Sequence, residues 1–127
     1  APRVKVEILK EGTGDSIQVG DTLEVRYRGT LKDGKEFDQN MDGSRPALRF
    51  PFGGRVIPGF TQGLAGMKVG ERRKFVIPAE LGYGKREIPP QDEGAMKKGS
   101  LIPANSDLTF EVELVGRTTK NSKPGGF

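Results

Sequence analysis

The sequence predicts an α+β domain, a four- to six-stranded antiparallel β-sheet with one short helix against its apolar face. Three observations predict it. Apolar residues alternate with polar ones in several segments, as in strands that have one covered face. A single segment, from Pro58 to about Ala65, has helical spacing, with Phe60 and Leu64 at i and i+4. The 19 glycines and 9 prolines of the 127-residue chain gather between these segments, where tight turns use them. Packing the helix on the sheet is the simplest way to bury both apolar surfaces.

In chain order, Val4, Val6 and Ile8 share one face of a first strand, and Leu23, Val25 and Tyr27 one face of a second. Lys32-Asp33-Gly34-Lys35 then places an Asp-Gly turn between Leu31 and Phe37, a hairpin signal because that pair tolerates positive φ. Leu48, Phe50 and Phe52 alternate again. The helix follows, kept short by Gly63 and Gly66. Phe75 and Ile77 mark a further strand, and Leu108, Phe110, Val112 and Leu114 the clearest one. Between these two, Gly84 to Ala104 has no period, and its residues 85–100 are rich in both basic and acidic side chains. A structureless stretch of about 20 residues is uncommon inside a compact domain and often functional; the plainer alternative is a solvated insertion. Residues 1–117 form the expected domain, and 118–127 a flexible tail.

Composition excludes much chemistry. With no cysteine and no histidine, the chain forms no disulfide, no Ser-His or Cys-His nucleophile, and none of the commonest transition-metal sites. Asp38-Gln39-Asn40-Met41-Asp42-Gly43 fits the first six positions of a calcium loop, but the twelfth is Arg49, a cation where a bidentate carboxylate is required. No metal and no cofactor are expected. No P-loop occurs, and no pair of acids is spaced for hydrolysis. The absence of an apolar run of about 18 residues and of a signal-peptide pattern predicts a soluble protein without membrane contact; a cytoplasmic monomer is the accompanying expectation. A chain that opens on Ala1 is compatible with a removed leader. Arg117, Lys120 and Lys123 carry three of the four net positive charges, so nucleic acid is expected to meet at most a weak, salt-sensitive attraction to this tail.

The segment Val56-Ile57-Pro58-Gly59-Phe60 is unusual. Helix starts favour Ser, Thr, Asp or Asn as the cap, whereas Ile57 brings no side-chain acceptor. Pro58 suits the first helical position. A helix start rimmed by Val56, Ile57 and Phe60 offers an N–H to a ligand carbonyl at the floor of an apolar pocket; the alternative is a core helix with solvated first amides. Tyr27, Phe37, Phe50, Val56, Ile57, Phe60, Tyr83, Ile102 and Phe110 come from separate segments. Converging at the helix entrance, they would make an aromatic-walled slot with Asp38 and Tyr83 as polar groups at its edge.

These residues resemble the FKBP-type peptidyl-prolyl cis-trans isomerases. The matching stretches are Val25-Arg26-Tyr27-Arg28-Gly29, Leu31-Lys32-Asp33-Gly34-Lys35-Glu36-Phe37-Asp38, Val56-Ile57-Pro58-Gly59-Phe60, Gly66-Met67-Lys68-Val69-Gly70-Glu71, Ile77-Pro78, Gly82-Tyr83-Gly84, Leu101-Ile102-Pro103 and Leu108-Thr109-Phe110-Glu111-Val112-Glu113-Leu114. Each is weak alone; their order and spacing over roughly Ile8 to Val115 are specific. The resemblance implies a half-wrapped antiparallel sheet around one short helix, and rotation of X-Pro bonds in an apolar pocket. It implies proline-containing proteins as substrates and the macrolides tacrolimus and rapamycin as ligands.

By the same resemblance, Tyr27, Phe37, Phe50, Val56, Ile57, Phe60 and Phe110 line the proline pocket, Phe60 is its floor and Ile57 presents the backbone N–H. Asp38 and Tyr83 match the family's polar residues, Leu48 takes a position that is often aromatic, and Ile102 belongs to the overhanging loop. Asp38, Ile57, Phe60, Tyr83 and Phe110 are expected to carry catalysis. Three departures stand out. Phe60 replaces the commonest Trp. The basic partner of the aspartate has no direct match, with Gly43 near its position and Arg45 as the substitute. The loop between Tyr83 and Ile102 is about ten residues longer than in small members. The competing reading is a noncatalytic interaction module that uses the pocket or loop 85–100.

Overall fold

The computed structural model describes residues 3–54, 56–88 and 102–119. Six strands form one antiparallel sheet: β1 (Lys5–Lys10), β2 (Thr22–Leu31), β3 (Glu36–Gln39), β4 (Leu48–Pro51), β5 (Arg72–Ile77) and β6 (Leu108–Thr118). One helix, α1 (Pro58–Leu64), and a 3₁₀ turn at Ala79–Leu81 lie between β4 and β6. The order across the sheet is β1-β5-β6-β2-β3, and β4 also pairs with β2. β4 occupies residues 22–25 of β2 and β3 residues 28–30, so the two short strands share one edge of the long one.

The alternation sets which face is covered. Leu23, Val25 and Tyr27 of β2, Phe75 and Ile77 of β5, and Leu108, Phe110, Val112 and Leu114 of β6 all face α1 and are buried. The Asp33-Gly34 turn forms as expected: Gly34 has φ +89, and the Lys35 N–H bonds Asp33 Oδ1 at 2.9 Å. The helix is short enough to lie almost flat on β5 because two glycines form its contact face. A Cβ on Gly59 would stand 2.9 Å from Ile77 Cγ1, and one on Gly63 2.5 Å from Phe75 Cε2.

β1 departs from expectation. Its apolar residues alternate, and pairing of Val6 with Phe75 and Ile8 with Arg73 puts them on the helix side of the sheet. Yet Val6 is 45% and Ile8 47% exposed. A helix about 10 Å across covers about two strands spaced about 5 Å apart, and α1 sits on β5, leaving this edge strand beyond its cover. At the other end, β6 runs to Thr118, which pairs with Thr22, so the strand passes the expected domain boundary by one residue.

The excursion from Gln39 to Leu48 is stitched by two side chains. Asn40 is 2% exposed; its Oδ1 accepts the Tyr27 N–H at 2.7 Å, and its Nδ2 donates to the carbonyls of Val25 and Pro46. Arg26 donates to the carbonyls of Asn40 and Arg45 at 2.9 and 2.7 Å. The calcium-loop residues are thus built into strand and turn hydrogen bonds, and among the described residues no acidic cluster could hold a metal ion. Ile88 and Ile102 exchange two backbone hydrogen bonds, of 2.9 and 2.8 Å, which close the base of the loop between them. Residues 89–101 of the long loop and 120–127 of the tail lie outside the described residues. No helix among the described residues is long and apolar enough to cross a membrane.

Candidate active site

Phe60, one turn into α1, is the hub of an aromatic cluster. Its ring lies 5.2 Å from Phe110, 5.8 Å from Phe50 and 5.9 Å from Phe75, centroid to centroid. Phe110 extends the cluster to Phe37, edge-on at 5.6 Å, and to Tyr27 at 6.4 Å. Such tilted and edge-to-face pairs add about 0.5–1.5 kcal/mol each beyond burial, so the rings fix one another. Gly29 makes room for them: a Cβ there would stand 2.5 Å from the Phe37 ring and 3.0 Å from Phe110.

The helix entrance has the predicted character. Ile57 is the N-cap, with φ −59 and ψ 143, no side chain caps the helix, and Pro58 opens it. The Ile57 N–H meets no acceptor among the described residues, whereas the Ile57 carbonyl accepts the Phe60 N–H at 3.0 Å. Val56, Ile57, Leu48, Phe50 and Tyr83 are half-buried and pack against the core cluster. A cavity of about 340 Å³ lies against the 40–49 excursion, bounded by Tyr27, Asn40, Arg45, Pro46, Ala47, Leu48 and Arg49; of the expected site residues it touches Tyr27 and Leu48.

One polar edge is tightly organised. Asp38, 7% exposed, accepts the Tyr27 hydroxyl at 2.5 Å on Oδ2 and Arg45 Nη2 at 2.7 Å on Oδ1. Arg45 also donates to the Gln39 carbonyl. Burial, the hydrogen bond to Asp38 and the charge of Asp38 all push the Tyr27 hydroxyl well above its usual range, with Arg45 opposing. Burial works against the Arg45 charge, but Asp38 more than compensates and raises its pKa. The missing basic partner is therefore Arg45.

Tyr83 is different. Burial first, and the negative field of Asp38 second, raise its hydroxyl above the ordinary tyrosine value, against the pull of Arg86. Its hydroxyl makes no hydrogen bond among the described residues. The phenol that faces the Asp38 field is thus a protonated donor in reserve, while that of Tyr27 is committed.

Ring contacts and hydrogen bonds bring together Tyr27, Phe37, Asp38, Phe50, Phe60 and Phe110, with Leu48, Val56, Ile57 and Tyr83 around them. Ile102 stands apart: it is fully buried in the core and exposes no surface to a ligand. Phe75, behind Phe60 and Phe110, was recognised in the sequence only as a strand residue. Asn40 was seen only as part of a calcium-loop match, although an Asn at the end of a hairpin strand is a frequent backbone mimic.

Comparison with known proteins shows the family and the fold. The family model described as FKBP-type peptidyl-prolyl cis-trans isomerase matches residues 14–115. FK506-binding protein 1A of Neurospora crassa is 44% identical over 115 residues, 89% of this chain and 87% of the relative. Human peptidyl-prolyl cis-trans isomerase FKBP2 is 47% identical over 97 residues, 76% of this chain and 61% of the relative. The crystal structure of FkpA from Escherichia coli superposes with a TM-score of 0.76 at 40% identity, covering 92% of this chain and 49% of that one. The chain thus spans most of the fungal protein and about half of FkpA. With its open antiparallel sheet, single helix and aromatic cluster, the chain belongs to the FKBP-type peptidyl-prolyl cis-trans isomerase family and is an isomerase of X-Pro peptide bonds.

Proposed function

We propose that the X-Pro bond turns over Phe60, with the proline ring among Tyr27, Phe37, Phe50, Val56, Ile57 and Phe110 and a substrate carbonyl outside the rotating bond held by the Ile57 N–H. The observation that carries this reading is the unpartnered Ile57 amide beside the aromatic hub. Rotation crosses a barrier of about 18–20 kcal/mol set by C–N resonance. In the twisted amide that resonance is lost and the carbonyl is less polar, so an apolar site favours it over the planar amide. No acid, base or nucleophile is required.

A hydrogen bond from Ile57 or Tyr83 orients the substrate, and about 1.4 kcal/mol gained only in the twisted state corresponds to a tenfold rate. Asp38 acts by holding the Tyr27 ring and Arg45 at the rim. Tacrolimus and rapamycin are the ligands of the same site, the Ile57 N–H and the Tyr83 hydroxyl meeting their carbonyls. The physiological partners in this reading are proline-containing proteins met by a monomer, with catalysis serving their folding.

The test is cis-to-trans isomerisation of short X-Pro peptides with and without tacrolimus. Acceleration that the macrolide abolishes is expected. A folded protein that gives no acceleration refutes the catalytic role and leaves the interaction module; acceleration insensitive to tacrolimus refutes the shared site.

A further inference from the structure

The helix that presents Ile57 and Phe60 has no electrostatic support of its own: no acid in its first turn, no base in its last, and no capping side chain. The Leu64 carbonyl accepts the Met67 N–H, and two further carbonyls at this end are satisfied from another element. Arg73 of β5, 7% exposed, donates Nη1 to the carbonyls of Gly63 at 3.0 Å and Ala65 at 2.7 Å. Its Nε donates to Glu71 Oε2, and Glu71 Oε1 accepts the Lys68 N–H at 3.0 Å. Glu71 is 3% exposed, so both charges are withdrawn from water. Gly66, with φ +85, lets the chain turn under the guanidinium, whose Nη2 lies 3.5 Å from where its Cβ would be.

A cation on the last carbonyls of a helix meets the negative end of its dipole and replaces the partners those carbonyls lack. One guanidinium reaches two carbonyls and a carboxylate at once because its donors form a planar fork, which an ammonium cannot reproduce. The two ends of α1 are only about 10 Å apart, and the glycine face toward β5 resists approach but not sliding. The Arg73 fork fixes the helix along that remaining direction.

We propose that Arg73, oriented by Glu71, is a positioning residue for the isomerase site: it sets the axial placement of α1, and through it the Ile57 N–H and the Phe60 ring. This rests on the site assignment made above. Displacing oriented groups by about 1 Å can cost a large factor in rate, so the effect should appear in turnover and not only in stability.

The experiment compares Arg73→Met, Arg73→Lys and Glu71→Gln with Leu31→Ala, a buried core truncation at the far hairpin. Peptide isomerisation is measured where urea titration shows each protein fully folded, and the Ile57 and Phe60 amides are followed in the ¹⁵N–¹H spectrum. Arg73→Met should lower kcat/KM per folded molecule by about tenfold and move both amide resonances, with Arg73→Lys intermediate. Leu31→Ala should lose stability while keeping kcat/KM within about twofold. Should the Met variant not fold, the Lys and Gln variants decide. Folded Arg73 variants with wild-type kcat/KM and unmoved Ile57 and Phe60 resonances overturn the inference while the isomerase assignment stands; inactive wild-type protein overturns the site assignment beneath it.

Discussion

Replacing Gly63 by Ala tests the packing that holds the site. In an exposed helix this change stabilises by about 1 kcal/mol, because Gly loses more backbone entropy on folding. Here the opposite is expected. The new methyl carbon would stand 2.5 Å from Phe75 Cε2 and 2.7 Å from Cγ, against an ordinary carbon–carbon separation of about 3.5–4.0 Å. Phe75 is fully buried and its ring already meets Phe60 at 5.9 Å and Phe110 at 6.0 Å, so it has nowhere to rotate. The helix must rise by about 1 Å from β5. With the ring unable to yield, the overpacking cost falls in the upper part of the usual range, about 2–3 kcal/mol, and the helical gain of about 1 kcal/mol leaves a net loss of about 1–2 kcal/mol. Urea unfolding should show a lower midpoint at unchanged slope, and the melting temperature should fall by about 3–6 °C per kcal/mol. Because the lifted segment carries Phe60, isomerisation should slow as well. A Gly63→Ala protein as stable as the parent, or more so, would refute the account of the glycine face.

Further outcomes follow from the polar edge. Tyr83→Phe removes no hydrogen bond among the described residues, so stability should stay within about 0.5 kcal/mol, while macrolide affinity measured by calorimetry should weaken about tenfold. Asp38→Asn should cost roughly 2–3 kcal/mol, since it removes the carboxylate charge that faces a guanidinium only 22% exposed. Adding Arg45→Met should recover part of that loss in a double-mutant cycle; strictly additive losses would refute the coupling. Both tyrosines of the chain have raised pKa values. The folded state then holds their protons more tightly, so their contribution to stability is full below the unfolded value near 10 and falls as pH rises above it. In folded protein both phenols should ionise at a pH above that of free tyrosine; a component of the tyrosinate absorbance titrating near pH 10 while the protein is still folded would contradict the burial.

How much was legible depended on whether a residue's role is local. The strand alternation, the Asp33-Gly34 turn and the Pro58 helix start are written in neighbouring residues, and each appears where it was expected. Which faces are covered is not local: Val6 and Ile8 alternate as well as Val25 and Tyr27 do, but α1 is too narrow to reach them. Arg45 showed the same limit. Only the fold of the 39–48 excursion, tied by Asn40 and Arg26, brings its guanidinium back to Asp38. The residues proposed to line the site were recognisable through the family pattern, whereas Phe75 and Arg73, whose contacts are set by how α1 docks, and Asn40, whose contacts are set by the 39–48 excursion, were not.

The strand order has a consequence for how the molecule is made. β6 lies between β5 and β2, and every residue of β2, from Thr22 with Thr118 to Leu31 with Leu108, pairs with one far along the chain. Contacts so distant in sequence give slow, non-local folding. On the ribosome, β2 and Phe60 are synthesised long before the strand that carries Phe110, so the nascent chain has no finished core until residue 118 has emerged. The isomerase must itself wait in a half-built state for its own central strand, with Tyr27, Phe37 and Phe60 left without the Phe110 ring that closes their cluster.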